Sequence, residues 1–300
     1  MEIPNPNLSY VITTRNRLEY LKIILPILLS ELKDDEEIVI VDSGSNDGSK
    51  EYLQDLFTRR IIHQFLSEPD KNQAHGWNKA MLLARGRLIK KIIDDDVFCF
   101  SAIRECKEFM LKNPSVDVCI SNESSIFYGK DISTAFFHSH DDKFLSWKRK
   151  ITKSFPFSDV HILIRKNSLS LIGLYNTSFT MMDWEYSLRI TFLQANLAYY
   201  TGYNALGILH PASISSKVQK QVLKDEEIRG CTMYNYNKIS NWSKLKIFLG
   251  KKILINRSNT QKLPNLESFY DLNPTEVYKI YHKFIEDRHS KNKKNYKFHN

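Results

Sequence analysis

The first 120 residues alternate between two hydrophobic patterns. Continuous apolar runs at Leu8–Thr13 and Glu37–Val41 predict strands that are covered on both faces. Between them, leucines spaced three and four residues apart predict a helix over Arg17–Lys33, which Pro26 is expected to kink or interrupt. The alternation continues toward residue 120. Further strands are predicted at Arg60–Leu66, Leu88–Ile93 and Val116–Ile120, with a short helix ending at Phe57 and others over His75–Ala84 and Ala102–Leu111.

Strands and helices that alternate at this spacing predict an α/β fold, a mostly parallel sheet flanked by helices. Right-handed crossovers place the loop after each strand on one rim, where ligands bind in such sheets. Three polar clusters follow three predicted strands: Thr13–Asn16, Asp42–Asp47 and Asp94–Asp96. We therefore expect these clusters to contribute to a single site.

The most chemically informative cluster is the run of adjacent carboxylates Asp94, Asp95 and Asp96 at the end of an apolar strand. Their mutual repulsion costs free energy on folding unless a cation is nearby. Oxygen ligands suit Mg²⁺ or Mn²⁺, and Mg²⁺ usually takes one or two protein carboxylates together with water and substrate phosphates. The run therefore indicates a metal–diphosphate site, although a solvated acidic turn would carry the same residues.

The segment Asp42–Ser49 is rich in turn residues and admits two interpretations. As a strand-to-helix turn, it supplies the N-cap of the following helix. As a nucleotide pocket, Asp42 accepts a hydrogen bond from the base, while serine and asparagine groups line the ribose. Gly44 and Gly48 would then let the backbone approach the ligand closely. The two interpretations are compatible.

Four motifs follow one another in the first half of the chain: Val11–Arg17 (VITTRNR), Ile40–Ser49 (IVDSGSNDGS), Asn78 with the later Ala84–Gly86, and Ile93–Val97 (IDDDV). Their order and spacing resemble those of family 2 glycosyltransferases, which have the GT-A fold and use sugar nucleotides. The resemblance covers the first 120 residues most strongly. It resumes downstream at Met182–Arg189 (MDWEYSLR), which is similar to the family's acidic-pair helix, with His210–Ser215 as a candidate further match.

This resemblance implies roles for individual residues. Asp42 would recognise the nucleotide base, Asp94 and Asp96 would form the DxD motif, and Asp183 would be the catalytic base. His210 would be a further metal or diphosphate contact. The implied nucleotide-sugar site comprises Thr13, Thr14, Arg15, Asp42, Ser45, Asp47, Asn78, Asp94 and Asp95, and the implied ligands of Mg²⁺ or Mn²⁺ are Asp96, Asp94 and His210.

Two of these roles have ordinary structural alternatives. Asp183 on its helix would otherwise be a solvated acid, and His210 would otherwise be a loop histidine that packs on tyrosines. The chain also departs from the family at Met182, where a glutamate usually precedes the base. With one base and no second carboxylate placed as a nucleophile, single displacement with inversion is favoured, as in inverting glycosidases with the acceptor hydroxyl replacing water.

Composition and charge limit the remaining classes of protein. The 300 residues are 42% hydrophobic, which excludes a wholly disordered chain, and the formal charge is +9. Residues 228–266 carry eight basic and no acidic side chains, and residues 288–300 carry five more. These stretches are either a solvated face or a surface for an anionic membrane, and no nucleic-acid-binding module is recognisable.

We expect a GT-A domain over residues 1–225, with a nucleotide-binding half (1–120) and an acceptor half (121–225). A basic, helical C-terminal extension follows over 226–300, with Trp242, Leu245, Leu249 and Ile253 on one helical face. The N-terminus has no secretory pattern and the four cysteines have no zinc spacing, so a bacterial cytoplasmic enzyme, peripheral at the inner membrane face, is expected.

The predicted activity is transfer of a sugar from a nucleoside diphosphate-sugar to a hydroxyl of a glycan or lipid-linked glycan, for a surface polysaccharide. One alternative is a sugar nucleotidyltransferase, which needs a glycine-rich phosphate loop after the first strand; Thr13–Arg17 contains no glycine. The other is a non-catalytic membrane-surface protein with a degenerate domain, which would not need to keep Asp94–Asp96.

Overall fold

The computed structural model describes residues 5–210, 220–236 and 273–298, and the architecture is mixed α/β. Within this part, the strands are β1 (Leu8–Thr14), β2 (Glu36–Asp42), β3 (Gln64–Ser67), β4 (Leu88–Ile92), β5 (Val97–Phe98), β6 (Val118–Phe127), β7 (Phe136–His138), β8 (Ile162–Arg165), β9 (Leu197–Tyr203), β10 (Ala205–Leu209) and β11 (Tyr296–Phe298).

The helices of the same described residues cover both faces of the sheet. They are α1 (Leu18–Glu31), α2 (Ser49–Thr58), α3 (Gln73–Leu83), α4 (Phe100–Lys112), α5 (Asp141–Lys148), α6 (Leu169–Ile172), α7 (Met182–Phe192), α8 (Lys220–Met233) and α9 (Pro274–Lys291). Short 3₁₀ turns lie at Ile132–Thr134, Asp159–His161 and Lys166–Ser168.

The sheet order β11-β9-β6-β8-β4-β1-β2-β3 joins two halves of different character. β3, β2, β1 and β4 are parallel, as the alternation of strands and helices predicts. β8 then pairs antiparallel with both β4 and β6, and β7 pairs antiparallel with the outer part of β6. The parallel half places the loops after β1, β2 and β4 at one edge, which is the edge predicted to bind ligand.

The hydrophobic core lies on both faces of the sheet because the central strands β1, β2 and β4 are buried at nearly every position. In β1, Leu8, Tyr10 and Ile12 pack with α1, α2 and α4, whereas Val11 packs on the opposite face with α3. Continuous apolar runs are the expected sequence of strands covered on both sides. This arrangement fixes the position of the loop that follows each strand.

The first helix differs from expectation in one respect, because α1 continues through Pro26 instead of ending there. Pro26 is exposed, while Leu21, Ile24, Leu25 and Leu28 on the opposite side are buried. Lys22, whose carbonyl loses its amide partner at the proline, is also exposed, so water can replace that hydrogen bond. Burial of the apolar face outweighs the local cost of proline.

The described C-terminal elements pack on the same sheet as the rest of the fold. α9 contacts α4 and β5, and β11 pairs antiparallel with β9. The expected domain boundary at residue 225 falls inside α8, and the division into a domain and an extension stays a prediction. The helical face of Trp242, Leu245, Leu249 and Ile253 lies outside the described residues. Among those residues, no helix combines the length and apolar character that crossing a membrane requires.

Candidate active site

A cleft of about 1150 Å³ opens at the predicted edge of the sheet. The loops after β1 and β4 and the segment before α3 line one side, and the β6–β7 ribbon lines another. Asp94, Asp95 and Asp96 project from the loop after β4, and Asp183 from the first turn of α7. The fold thus brings the acidic run and the candidate base, almost 90 residues apart, into one cavity.

The acidic run is held by contacts from three elements. Oδ2 of Asp94 accepts a hydrogen bond from the Thr14 hydroxyl at 2.7 Å, and Oδ2 of Asp95 lies 2.8 Å from the Arg17 guanidinium. Oδ1 of Asp96 accepts from the amide of Ile208 at 2.7 Å. These contacts fix the three carboxylates close together at the end of a buried strand.

The electrostatics of the run favour a bound cation. Desolvation, followed by the charge of Asp95, raises the pKa of Asp94 to about 7 and also raises the pKa of Asp96 well above its usual range. In the described chain, Arg17 pairs with Asp94 and Asp95, but no ion pair reaches Asp96. Three carboxylates therefore face one guanidinium, and a divalent cation would relieve the remaining repulsion.

The donor set fits a metal that shares its ligands with a substrate. Within the described chain, no three carboxylate, imidazole or thiol groups are arranged to hold an ion by themselves. Mg²⁺ and similar ions commonly bind through one or two carboxylates and complete their shell with phosphate and water oxygens. Asp96 and Asp94 satisfy that pattern and line the cleft.

The environment of Asp183 leaves its carboxylate available to accept a proton. It is half-buried in the first turn of α7, and no hydrogen bond from another described side chain engages it. Desolvation and the nearby charge of Asp159 raise its pKa, while Lys91 opposes them. A raised pKa makes a carboxylate a stronger base, provided that it remains ionised at the working pH.

The residues expected at the nucleotide-sugar site fall into two groups. Thr13, Thr14 and Arg15 line the cleft together with the acidic run. The other four are not among the residues lining the cleft and instead hold its loops: Asp42, Ser45, Asp47 and Asn78.

Three of these four brace the loop after β2. Asp42 is fully buried and accepts hydrogen bonds from the hydroxyls of Ser45 and Ser67. Asp47 accepts from the amides of Leu18 and Ser49, so it caps the starts of α1 and α2. The remaining residue, Asn78, binds both the amide and the carbonyl of Tyr175. Their described contacts are those of supporting residues, and roles in nucleotide binding stay predictions.

His210 lines the cleft close to the acidic run. Its Nε2 lies 3.3 Å from the hydroxyl of Tyr278 on α9, and its ring stacks on Tyr128 at 4.7 Å. The Tyr278 hydroxyl also donates to the carbonyl of Asp95. The tyrosine packing that was the ordinary alternative for His210 is thus present, and ligation of a metal stays a prediction.

Sequence reasoning missed Asp70, which also lines the cleft. Its Oδ1 pairs with Lys79 at 2.7 Å and with His75 at 3.0 Å, and its Oδ2 accepts from the hydroxyl of Ser43. A Cβ atom on Gly76 would lie 2.6 Å from Oδ2 of Asp70, so glycine is needed for this approach of α3. The signal was available, since Asp70 follows a predicted strand on the same rim.

Also missed was a largely buried group of side chains in the lining of the cleft, Lys91 with Asp159 and Trp77. The Lys91 ammonium lies 2.6 Å from Oδ2 of Asp159, and the Tyr175 hydroxyl donates to the same oxygen at 2.5 Å. The ammonium lies 4.3 Å from the ring centroid of Trp77, a cation–π contact. A lysine in an apolar strand carries no sequence signal for a partner 68 residues away.

Comparison with known proteins gives one family and a consistent fold. The model of glycosyl transferase family 2 matches residues 9–173, more than half of the chain. No curated protein matches the sequence significantly.

Solved structures are similar in fold at low sequence identity. The mannosyltransferase PcManGT from Pyrobaculum calidifontis, in complex with GDP-Man and Mn²⁺, has a TM-score of 0.56 at 13% identity, over 80% of this chain and 67% of that one. S. aureus TarS 1–349 in complex with UDP-GlcNAc has a TM-score of 0.57 at 12% identity, over 80% of this chain and 70% of that one. A longer structure of S. aureus TarS has a TM-score of 0.55 at 14% identity. The match covers 82% of this chain but only 43% of the TarS chain. The predicted GT-A fold is confirmed.

Proposed function

This chain belongs to glycosyl transferase family 2 and is a glycosyltransferase, and we propose that it moves a sugar from a nucleoside diphosphate-sugar to a hydroxyl of a glycan or lipid-linked glycan, with inversion. The observation that carries this proposal is the shared cleft. Asp94–Asp96 and Asp183 line the same cavity, which is large enough for a donor and an acceptor together. Family membership also favours this reaction over the nucleotidyltransferase and non-catalytic alternatives.

On the donor side, Asp96 and Asp94 would hold Mg²⁺ or Mn²⁺, with His210 as a candidate third contact. The ion would act as a Lewis acid toward the departing diphosphate. Arg15 and Lys71 also line the cleft and would supply positive charge toward phosphate oxygens. The complexes of the similar structures with GDP-Man and with UDP-GlcNAc support a nucleotide-sugar as the donor class.

On the acceptor side, Asp183 acts as the general base. The acceptor oxygen forms a bond to the anomeric carbon as the bond from that carbon to the diphosphate oxygen breaks, and the hydroxyl proton passes to Asp183. One displacement of this kind inverts the anomeric configuration. The raised pKa of Asp183, caused by desolvation and by Asp159, suits proton uptake from a hydroxyl.

For the cellular setting, we propose a bacterial cytoplasmic enzyme of surface polysaccharide synthesis, peripheral at the inner membrane face. The proposed contacts with anionic lipid are residues 228–266 and 288–300. In the second stretch, Lys294 and Lys297 already pair with Glu105 and Asp141. Its exposed cations therefore centre on Lys291 and Lys293.

The direct test is turnover of UDP-, GDP- and dTDP-sugars by the native protein and by Asp183→Asn, followed as release of nucleoside diphosphate. Asparagine keeps the shape of the side chain but cannot take the proton, so the rate should fall roughly 10²- to 10⁴-fold. Nucleotide binding should be unchanged. Asp225→Asn, an exposed site on α8, is the matched control. A fully active Asp183→Asn enzyme, or a product that retains the donor's anomeric configuration, would refute the mechanism.

A further inference from the structure

The β6–β7 ribbon presents one face to the cleft that the proposed mechanism leaves unused. Along β6, burial alternates: Ser124 and Ile126 are buried, while Glu123, Ser125 and Phe127 are half-exposed. Alternate residues of a strand point to the same side. The half-exposed set therefore forms a continuous row, and every member of it lines the cleft.

The partner strand adds two side chains to this row. In the antiparallel register, Glu123 is opposite His138 and Ser125 is opposite Phe136. Directly opposed residues project to the same face of an antiparallel pair. Phe136 is 56% exposed, and its ring meets Phe127 edge-on at 6.1 Å. The face thus combines aromatic rings with a carboxylate, a hydroxyl and an imidazole.

Glu123 is held as a carboxylate with spare hydrogen-bonding capacity. Its Oε1 accepts from the amide of Ser158 at 2.5 Å and lies 3.0 Å from Nε2 of His140. No described residue hydrogen-bonds to Oε2. Desolvation opposes ionisation, but the hydrogen bond from His140 and neighbouring imidazole charge outweigh it and lower the pKa of Glu123 to about 2. The side chain can therefore only accept hydrogen bonds.

All described lysines and arginines that line the cleft lie outside the ribbon, as do six of the cleft's seven lining carboxylates. The lysines and arginines among its described lining residues are Arg15, Arg17, Lys71 and Lys91, which come from β4 and from the loops beside β1 and α3. None of them belongs to the ribbon, whose only formal charge in the cleft is Glu123. A phosphate or carboxylate on a ligand would be repelled by Glu123 at the ribbon, where no described lysine or arginine lines the cleft to offset that charge.

We propose that this face, formed by Glu123, Ser125, Phe127, Phe136 and His138, is the subsite for the acceptor's terminal sugar, and that the sugar is uncharged. Pyranose rings carry C–H groups on one face and hydroxyls around the edge. The ring stacks on Phe136, and a hydroxyl donates to Oε2 of Glu123. This inference rests on the proposed glycosyl transfer and specifies which chemical class of acceptor it uses.

The charge pattern favours this occupant over two others. A phosphorylated or uronic acid sugar would place a second negative charge beside Glu123. A polyisoprenoid chain would cover the half-exposed Glu123 and Ser125 without hydrogen-bonding to them, and burying unpaired polar groups in an apolar contact is costly. Both remain as outcomes that the experiment distinguishes.

The experiment is saturation-transfer NMR on the full chain with Mg²⁺ and UDP or GDP. The probes are methyl glucoside, galactoside, mannoside and N-acetylglucosaminide, their anionic counterparts methyl glucuronide and glucose 6-phosphate, and octyl glucoside. We expect transfer to the ring protons of at least one neutral glycoside. Phe136→Ala should weaken its binding about tenfold, and Phe136→Tyr, which keeps the ring, should restore it. Glu123→Gln should also weaken it about tenfold.

Phe57→Ala is the matched control, because Phe57 is 39% exposed on α2 and is not among the residues lining the cleft. Affinity for the nucleotide, measured by calorimetry on the same samples, should be equal in all variants. Nucleotide binding without binding of any neutral glycoside overturns the subsite but not the proposed function. The subsite is also overturned if anionic glycosides bind as well as neutral ones, or if saturation transfer reaches only the octyl chain of octyl glucoside. It is likewise overturned if Phe136→Ala binds the neutral glycosides as well as the native protein does. Absence of nucleotide binding in the native protein instead refutes the proposed function.

Discussion

Lys91 and Asp159 form a largely buried ion pair in the lining of the cleft that holds the proposed catalytic site. Their charged atoms lie 2.6 Å apart, and the two side chains are only 7% and 3% exposed. The pair lies between Trp77, under the Lys91 ammonium, and Tyr175, which donates to Asp159. The charges of Lys91 and Asp159 act on the pKa of Asp183 in opposite directions. The pair therefore affects both the stability of the fold and the basicity of the Asp183 carboxylate.

Removing one member of this pair should be strongly destabilising. Lys91→Met leaves the Asp159 carboxylate buried without its cation, and such changes cost about 3–5 kcal/mol. The free energy of unfolding in urea at pH 7 measures this. Lys22→Met, at an exposed position of α1, should stay within about 0.5 kcal/mol of the native value. A loss below about 1 kcal/mol for Lys91→Met would show that the pair contributes little.

The same two residues should shift the pH dependence of turnover in opposite directions. The rate falls as pH drops through the pKa of Asp183, because the base must be ionised. Asp159→Asn removes a charge that raises this pKa, so the acid limb should move to lower pH. Lys91→Met removes a charge that lowers it, so the limb should move to higher pH. The pH profile of kcat/KM measures both, and shifts of the same sign would contradict this electrostatic account.

Lys90, the neighbour of Lys91 on β4, predicts a pH dependence of stability. Its ammonium is fully buried, donates to the carbonyl of Val160, and desolvation lowers its pKa to about 7. Between pH 7 and about 10, the unfolded chain holds a proton that the folded chain has lost. Stability from this group therefore rises with pH across that window, by a few kcal/mol overall. Urea unfolding measured from pH 7 to 9.5 should show a rise that Lys90→Met reduces; an unchanged slope would contradict the prediction.

We predict that Glu226 of α8 positions the proposed base. Its two oxygens accept from the amides of Thr180 and Met181 at 2.7 and 2.8 Å, immediately before the helix that carries Asp183. Glu226→Ala releases both amides and should lower kcat about 10- to 100-fold, since small displacements of a catalytic group are costly. Glu226→Gln, which keeps one acceptor oxygen, should be intermediate, and the nucleotide Kd should not change.

The control for this variant is Glu227→Ala, at the adjacent exposed position on the same helix. It should retain native kcat. If Glu226→Ala were fully active, or if Glu227→Ala were equally impaired, Glu226 would have no specific role in placing Asp183.

The sequence predicted the parallel half of the fold well because its strands are continuous apolar runs. β1, β2 and β4 begin and end within one residue of expectation. The strand predicted at Val116–Ile120 instead extends to Phe127, because Ser121–Ser125 is polar and was not recognised as a strand. Its alternation of burial appears only once the core is known. The third strand, expected at Arg60–Leu66, begins at Gln64, after a turn.

The candidate site was predictable where it follows strands and unpredictable where it depends on distant contacts. Asp94–Asp96 was placed at the cleft from the acidic run, the apolar strand before it and the resemblance to the DxD motif. The partner of Lys91 is 68 residues away, and Glu226 is 45 residues from Met181. Such contacts depend on tertiary packing, for which local periodicity carries no information.

The central claim is that Asp96, with Asp94, joins a divalent ion to a donor's diphosphate, and the melting temperature tests it most directly. The protein is heated with UDP, GDP or dTDP, each with and without Mn²⁺. At least one nucleotide should raise the melting temperature by several degrees only when Mn²⁺ is present. Asp96→Asn, which can still accept from the Ile208 amide, should abolish the increase, whereas Asp142→Asn, at an exposed position of α5, should preserve it. No increase with any nucleotide and metal, or a full increase in Asp96→Asn, would contradict the account.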